Sequence, residues 1–341
     1  FTVEQLTKVP LLPNLDFKLR QGNSLLQEIG SKNFSLKTLF KGRKRNIGAT
    51  KKLNDFIKRK KLFITNQSES ETTYKKLKEE ELRVFRDFIN ELKIENIQQI
   101  ATIRKGDGQF ALFESSSSEN KSIFESLILD IEKENEQLNN FLNVIKTTGR
   151  IPFSYDIDFM EIFVTKEDAG FDLIIGNPPY VRQEDILPAD NALELERLLR
   201  DENKTEKARV SREYKEKLSA KVYDAFPFLS TKAKTVIDNK SKTIDVYGDK
   251  VPGRSDLYVY FQLLMPTLMN SNGTFCFIIS NSWLDVEYGS FVQQFLLKHT
   301  QLYAVYDCNV RSFSAKVNTV IYIHSGITNV NLTENQYKTF T

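Results

Sequence analysis

The pattern of apolar and polar positions divides the chain into a helical first part and a mixed second part. Between about residues 34 and 146, apolar residues recur at helical spacing, which predicts amphipathic helices. One predicted helix places these residues on one face: Leu77, Leu82, Phe85, Phe88, Ile89 and Leu92. A second predicted helix does the same with Ile123, Phe124, Leu127, Ile128, Ile131, Leu138 and Leu142. Ahead of these helices, FKLRQG at residues 17–22 predicts a short strand.

From residue 151 onward, short apolar runs of strand length alternate with helical segments. The predicted strands are FDLIIG, TFCFIIS, LYAVYDCN and NTVIYIHSG, which begin at residues 171, 274, 302 and 318. A helix is predicted from Asp256 to Gly273, kinked at Pro266, and another over residues 288–300. This alternation predicts an α/β fold with a parallel, doubly wound sheet. In such sheets, ligands bind at the carboxyl ends of the strands.

Composition narrows the class of protein. A content of 40% hydrophobic and 27% charged residues is typical of a soluble globular chain. No apolar run approaches the ~20 residues of a membrane span, and the first residues do not resemble a signal peptide. Two cysteines in 341 residues argue against a disulfide framework and favour a reducing cytoplasm. The two histidines, His299 and His324, have no partner at metal-ligand spacing, so no metal site is predicted.

The net charge of +3 says little about binding partners, but the distribution of charge along the chain says more. Residues 41–61 carry ten Lys or Arg and one Asp, a local positive field suited to phosphate groups. A solvated surface is the other interpretation of this stretch. If it binds a polyanion, Lys58, Arg59, Lys60 and Lys61 are the residues expected to contact phosphates.

The most informative stretch is GFDLIIGNPPYVRQE, in which a strand ends directly at Asn177, Pro178, Pro179 and Tyr180. Two prolines make a rigid turn that lacks two N–H donors, and the residue before a proline is held extended. The Asn177 amide oxygen and the Pro178 carbonyl can therefore accept hydrogens from a planar amine, while the Tyr180 ring offers a face for stacking. Two such acceptors would free the amine lone pair for attack on an electrophilic methyl group. The other interpretation is a structural turn packed by a tyrosine.

These residues resemble the motif of a known family. The chain is similar to DNA amino-methyltransferases that use S-adenosylmethionine and carry a D/N-P-P-Y/F/W motif. Within them it most resembles the adenine-N6 methylase region of type IIG restriction–modification enzymes. The resemblance rests on LPNLDFKLRQGNSLL, GFDLIIGNPPYVRQE, SDLYVYFQLLMPTLMNSNGTFCFIISNSWLDVEYG and VRSFSAKVNTVIYI, in the family's order, about a third of the chain.

The resemblance implies a Rossmann-like methyltransferase fold with large helical insertions, acting on double-stranded DNA. It implies that Asn177 and Pro178 bind the target amino group and that Tyr180 stacks on a flipped base, with Phe313 against its other face. Asn23, Ser24 and Asn177 are expected to contact the cofactor. Three further residues, Asp256, Tyr258 and Phe261, match a helix that lines the family's substrate pocket, although helix start and core packing are equally open for them. Asn281 and Trp283 are candidates for the pocket wall or for structure.

The expected domain organisation follows from the same resemblance. Residues 1–30 would be part of the methyltransferase core, with a strand and the turn that contacts the cofactor's adenine. Residues 31–150 would be a partly basic helical insertion. Residues 151–326 would be the catalytic core, itself carrying a helical insertion at 189–250. Residues 327–341 would begin a linker to a target-recognition domain.

One part of the family pattern is not found. The Gly-rich cofactor turn that the family places upstream of LPNLDF is absent, as are the nuclease motif and the target-recognition domain. We therefore expect a fragment of a longer enzyme that lacks its first strands and is by itself inactive. Two alternatives stay open: an N-P-P-Y methyltransferase of RNA or protein glutamine, disfavoured by the long interval between Asn23 and Gly176, and a non-catalytic DNA-binding fragment.

Overall fold

The fold of the protein comes from a computed structural model. It describes residues 15–29, 32–33, 47–65, 71–110, 118–163, 168–188, 192–200, 204–229, 234–237, 243–246, 250–308 and 318–327. The chain forms two compact units. Unit 1 comprises residues 1–22 and 27–166, and unit 2 comprises residues 23–26 and 167–341. The domain boundaries expected from the family resemblance stay predictions.

Unit 1 is built mainly from helices. Its elements are β1 (Glu28–Ile29), β2 (Lys32–Asn33), α1 (Ile47–Thr65), α2 (Glu71–Phe110), α3 (Ser118–Thr148), α4 (Tyr155–Asp158) and α5 (Met160–Phe163). The apolar face predicted for α2 is confirmed, because Leu77, Phe85, Phe88, Ile89 and Leu92 are buried and Leu82 packs against the same core.

The face predicted for α3 is only partly buried. Leu138 lies in the core of unit 1, whereas Ile123 and Leu127 are 56% and 47% exposed. The buried side of α3 is instead continued by Phe141 and Ile145, one turn apart near its carboxyl end.

The strand predicted at residues 17–22 is wrong. Residues 16–18 form a turn, and Phe17 has a left-handed backbone φ of 60°. Its ring is only 3% exposed and faces three cations: Arg20 Cζ, Lys60 Nζ and Lys78 Nζ lie 5.1, 5.4 and 5.6 Å from the ring centroid. Cations over an aromatic face are attracted by its quadrupole, so tertiary contacts set this conformation rather than strand pairing.

Lys60 lies fully buried on the core face of α1. Its Nζ is 3.0 Å from Glu161 Oε2 and 3.7 Å from Glu81 Oε1, and it donates to the Asp158 carbonyl oxygen at 2.6 Å. Burial lowers the pKa of Lys60, while the Glu161 and Glu81 carboxylates act to raise it. Because Lys60 is 0% exposed, the expectation that it contacts phosphates is wrong.

The other cations of the basic stretch differ in their surroundings. Arg59 is exposed and forms a two-pronged ion pair with Glu80, in which Arg59 Nη1 lies 2.8 Å from Glu80 Oε2. Lys58 and Lys61 are exposed on the outer side of α1. Residues 41–46, which carry four of the ten cations, lie outside the described residues. Among the described cations of this stretch, contact of exposed Arg59 and of the exposed lysines with phosphates stays a prediction.

Unit 2 contains a mixed sheet flanked by helices. Its elements are β3 (Phe171–Gly176), α6 (Ala192–Leu198), α7 (Lys204–Ala225), β4 (Lys234–Ile237), β5 (Thr243–Val246), α8 (Leu257–Leu264), β6 (Met269–Ser280), α9 (Glu287–His299), β7 (Leu302–Cys308) and β8 (Thr319–Ser325). The main sheet has the order β3-β6-β8-β7, and β4 and β5 form a separate antiparallel pair.

The strand directions correct the sequence expectation of a parallel sheet. β3 and β6 are parallel, but β8 runs antiparallel to both β6 and β7. Ten residues separate β7 from β8, too few for the crossover connection that parallel strands need. The α/β class is confirmed, with many helices and a mixed four-stranded sheet, whereas the placing of helices as insertions stays a prediction.

The core of unit 2 lies on one face of this sheet. Buried side chains alternate along two paired strands, with Phe275, Phe277 and Ile279 on β6 opposite His324, Tyr322 and Val320 on β8. The helix predicted to reach Gly273 ends earlier: α8 stops at Leu264, and the 3₁₀ turn Met265–Leu268 contains Pro266. A proline cannot continue the helical hydrogen bonding, so β6 begins at Met269.

β3, one of the two edge strands of this sheet, carries exposed apolar side chains. In the described part of the chain no strand pairs with the second edge of β3, on which Leu173 and Ile175 are 52% and 71% exposed. Among the described residues, no helix is long and apolar enough to cross a membrane.

Candidate functional site

The candidate site begins where β3 ends. Gly176 pairs with Phe277 of β6, and a Cβ at Gly176 would lie only 2.6 Å from Phe277 Cε1. Such a contact is far inside van der Waals distance, so glycine is required for the strand to lie flat against the ring. The chain then leaves the sheet at Asn177, at the carboxyl end of a strand that is parallel to β6. This is the edge at which open α/β sheets bind ligands.

The corner, defined as residues Asn177–Tyr180, carries polar groups that bond to no described residue. Asn177 and Pro179 are exposed, Pro178 is buried, and Tyr180 is half-buried. In the described part of the chain, neither the Asn177 side-chain amide nor the Pro178 carbonyl has a hydrogen-bond partner. An exposed amide beside a carbonyl without a competing N–H donor offers two acceptors to an external amino group.

The Tyr180 side chain is held from two sides. Its hydroxyl donates to the Ile278 carbonyl oxygen of β6 at 3.2 Å, and its ring meets Tyr258 edge to face at a centroid distance of 6.4 Å. Burial raises the pKa of Tyr180, with a smaller contribution from Cys308, so the phenol stays neutral at neutral pH. Tyr180 therefore offers a fixed, uncharged ring at the end of the corner.

Two predicted pocket residues lie next to the corner at the start of α8. Asp256 precedes the helix and accepts a hydrogen bond from the Gln183 backbone N–H at 3.0 Å. Tyr258 contacts Tyr180 as described, but its side chain is 1% exposed. Whether they contact a substrate stays a prediction.

The same region contains a residue that sequence reasoning missed. Tyr288, in the first turn of α9, donates its hydroxyl to Asp256 Oδ2 at 2.9 Å and lies 2.7 Å from the Tyr258 hydroxyl. Burial raises the pKa of Tyr288 to about 12, and burial also raises the pKa of Tyr258 strongly. No local sequence signal marks Tyr288, because its partner Asp256 is 32 positions away.

Asn23 and Ser24, the predicted cofactor contacts, belong to unit 2. The Asn23 Oδ1 accepts from the backbone N–H groups of Leu25 and Leu26 at 3.1 and 3.0 Å, which closes a tight turn. Its Nδ2 donates to the Tyr214 hydroxyl at 3.0 Å. The Asn23 amide thus has a structural role, and its contact with a cofactor stays a prediction.

The remaining candidates are distributed differently. Phe313 lies outside the described residues, so the expected cavity shared by Asn177, Tyr180 and Phe313 stays a prediction. Trp283 is 2% exposed and packs against Tyr322 with ring centroids 5.7 Å apart, which makes it a core residue. Within the described ranges, no group of three or more His, Cys, Asp or Glu residues could hold a metal ion.

Comparison with known proteins identifies a family for most of the chain. A family model described as Eco57I restriction-modification methylase matches residues 28–226 and 227–313. The two segments together span well over half of the 341 residues. A comparison with curated proteins gives no match.

Proposed function

The chain belongs to the Eco57I restriction-modification methylase family, and from this premise we propose that it is the catalytic region of an enzyme that methylates N6 of adenine in double-stranded DNA with S-adenosylmethionine. The observation that carries the proposal is the corner Asn177–Tyr180. An exposed amide, a carbonyl without a competing donor and a fixed tyrosine ring follow directly after a strand of a methyltransferase chain. The methyltransferase activity follows from the family, whereas base, cofactor and DNA are parts of the proposal.

The corner fits the chemistry of an exocyclic amine. The lone pair of an adenine amino group is delocalised into the ring, which makes the nitrogen a weak nucleophile. The Asn177 Oδ1 and the Pro178 carbonyl oxygen would each accept one amino hydrogen and favour a pyramidal nitrogen. Such acceptors matter most where charge develops in the transition state, so they accelerate methyl transfer more than they tighten binding.

The Tyr180 ring would bind the base by stacking. A base inside a duplex cannot reach the corner, so it must be rotated out of the helix first. Because the Tyr180 hydroxyl is tied to β6 and its ring rests on Tyr258, the stacking face keeps a constant orientation toward Asn177. A preset orientation of this kind lowers the entropic cost of bringing the amine into line.

The residues fit S-adenosylmethionine in part. Ser24 is half-buried, and in the described part of the chain its hydroxyl has no partner and can bind a ligand. Both polar atoms of the Asn23 amide are engaged, because Oδ1 closes the turn and Nδ2 donates to Tyr214. When bound, the cofactor supplies a methyl group on a sulfonium, an electrophile that a freed amine lone pair can attack. Asn177, Ser24 and the backbone at Asn23 are the groups of this chain that would orient it.

The test measures the modified base directly. Residues 1–341 and the complete gene product are each incubated with unmethylated plasmid DNA and labelled S-adenosylmethionine, and the nucleosides are separated by mass spectrometry. We expect N6-methyladenine from the complete product and none from residues 1–341 alone. N4-methylcytosine, methylated RNA or methylated protein in its place would contradict the proposal.

A matched pair of variants tests the corner. Asn177→Ala removes one acceptor and should lower kcat by roughly 10²-fold or more, as for the loss of one preorganised polar group, with a smaller effect on DNA binding. The control is Asn272→Ala, an exposed asparagine in the amino-terminal half of β6. Equal activities of the two variants would mean that the corner is structural.

A further inference from the structure

The two prolines make the corner Asn177–Tyr180 rigid, but rigidity alone does not determine the orientation of the corner. Its direction depends on how the chain is held just beyond Tyr180. There, two hydrogen bonds tie the chain to the start of α8: Leu257 N–H donates to the Val181 carbonyl at 3.0 Å, and Gln183 N–H donates to Asp256 Oδ1 at 3.0 Å. The orientation of the corner therefore depends on what holds Asp256.

Asp256 is held by a chain of two tyrosines. A phenol has one proton to donate, and the Tyr288 hydroxyl donates it to Asp256 Oδ2 at 2.9 Å. The 2.7 Å contact between the Tyr258 and Tyr288 hydroxyls must then have Tyr258 as donor. The order is Tyr258 to Tyr288 to Asp256, and the carboxylate also accepts from Gln183. Hydrogen bonds arranged head to tail in this way polarise one another.

This chain of hydrogen bonds touches the corner at a second point. The Tyr258 ring, whose hydroxyl begins the chain, packs edge to face against Tyr180 with an interplanar angle of 80°. Tyr288 comes from α9, whereas Asp256 and Tyr258 come from the start of α8. The network thus joins the loop after β3 to two helices within unit 2.

The same contacts argue against direct binding of substrate by these side chains. Both carboxylate oxygens of Asp256 accept hydrogen bonds from within the protein. Tyr258 is 1% exposed, and its hydroxyl is engaged. A substrate could reach the Tyr258 side chain only by breaking the network, and each Asp256 oxygen already accepts one hydrogen bond within it.

We propose that Asp256, Tyr288 and Tyr258 form a brace of positioning residues that aims the corner Asn177–Tyr180 at its substrate. The inference rests on the proposed function, in which the corner binds the amine, and it adds Tyr288 to the residues on which the reaction depends. The brace acts through Gln183 and Tyr180 and contacts no reacting atom itself. A displacement of about 1 Å at a reacting group can lower a rate by 10²-fold, so loss of a single hydroxyl in the brace can be visible in kcat.

The first measurement is hydrogen exchange, which does not depend on activity. In the complete gene product, Tyr288→Phe removes the hydroxyl and keeps the ring. We expect at least tenfold faster amide exchange in peptides covering residues 181–185. The matched control is Tyr306→Phe, a 57% exposed tyrosine on β7, whose exchange in the same peptides should equal that of the unmodified protein. Unchanged exchange in Tyr288→Phe would overturn the brace.

Two substitutions of Asp256 compare a variant that loses the hydrogen bonds with one that can restore them. Asp256→Ala removes both acceptors and should speed the exchange of residues 181–185 as much as Tyr288→Phe or more. Asp256→Asn keeps an acceptor for Gln183 N–H, and its amide can donate to the Tyr288 oxygen if the two phenol protons reverse direction. The asparagine variant should therefore restore slow exchange. Equal exchange in the alanine and asparagine variants would contradict the proposed arrangement.

The second measurement is the split between kcat and KM for DNA. A positioning role predicts that Tyr288→Phe lowers kcat about tenfold or more and changes KM less than about twofold. A raised KM with unchanged kcat would mean that Tyr288 binds substrate, and the brace would be rejected. Should the unmodified protein give no N6-methyladenine, the proposed function fails, while the exchange experiment still decides whether the brace exists.

Discussion

The most quantitative prediction concerns His324, a histidine in the core of unit 2. It is 0% exposed on β8, and its ring stacks on Phe275 with a centroid distance of 4.6 Å. The Nδ1 lies 2.6 Å from the Ser325 carbonyl oxygen and therefore carries the proton, while Nε2 has no hydrogen-bond partner in the described part of the chain. Protonation of Nε2 would place a cation in an apolar core.

Burial lowers the pKa of His324 from 6.5 to about 4, against the Ser325 carbonyl, which acts to raise it. Above pH 6.5 the imidazole is neutral in both folded and unfolded chains, and it makes no pH-dependent contribution. Between pH 6.5 and 4 only the unfolded chain takes up the proton, so the stability of unit 2 falls as the pH falls. A pKa lowered from 6.5 to about 4, at 1.36 kcal/mol per unit, gives a loss of stability of roughly 3 kcal/mol once the pH is below 4.

The perturbation is His324→Phe, which keeps an aromatic ring and removes the titration. Urea unfolding is followed by the fluorescence of Trp283, the single tryptophan of the chain, which reports on unit 2. Between pH 7 and 4.5 the unmodified protein should lose stability more steeply than His324→Phe. The control is His299→Gln, which removes the only other histidine and should follow the unmodified protein. Parallel stability curves for the unmodified protein and His324→Phe would refute the reasoning.

Two further predictions concern α1. Lys60→Met should lower the stability of unit 1 by about 3–5 kcal/mol because it removes one partner from a buried ionic network, whereas exposed Lys61→Met should stay within about 0.5 kcal/mol. Thermal unfolding followed by helical circular dichroism measures both, and equal melting temperatures would contradict the role given to Lys60. If the exposed lysines contact phosphates, replacing Lys51, Lys52, Lys58 and Lys61 by glutamine should reduce the salt slope of DNA binding by up to about 3.6, at 0.9 per contact. An unchanged slope would leave only a solvated surface.

Sequence patterns predicted the strands of unit 2 because each is a short apolar run between polar turns. β3, β6, β7 and β8 all coincide with predicted runs, although β6 starts five residues earlier than expected. Strand direction could not be predicted in the same way. The position of β8 between β6 and β7 depends on pairing across the sheet, which the hydrophobic pattern of a single strand does not encode.

The burial of Lys60 could have been predicted from the helical spacing of apolar residues around it. Leu53, Phe56, Ile57 and Phe63 are all buried, and position 60 falls on the same helical face. The charge density of the stretch concealed this periodicity. The turn at Phe17 carried no such signal, because FKLRQG alternates like a strand and its aromatic ring is held by residues distant in sequence, Lys60 and Lys78.

Some residues of the candidate site could be predicted from the sequence and others could not. Asn177 and its prolines were predicted because the chemistry is local, with strand, glycine and rigid turn all within a few residues. Tyr288 was not, because its significance arises only when the start of α9 meets Asp256 at the start of α8. Local motifs identify the groups that face a ligand, whereas the side chains that orient them are found through tertiary contacts.

The backbone of Phe17 has a consequence for which substitutions the protein can accept. A left-handed φ of 60° costs an L-residue roughly 1–2 kcal/mol, a strain that glycine would relieve. Glycine would also remove a buried aromatic ring, and truncations of that kind cost about 3–5 kcal/mol. Backbone strain favours glycine at position 17 and packing favours phenylalanine, and the packing energy is the larger of the two. Substitution of Phe17 by glycine should therefore destabilise the protein, because the packing energy lost exceeds the backbone strain removed.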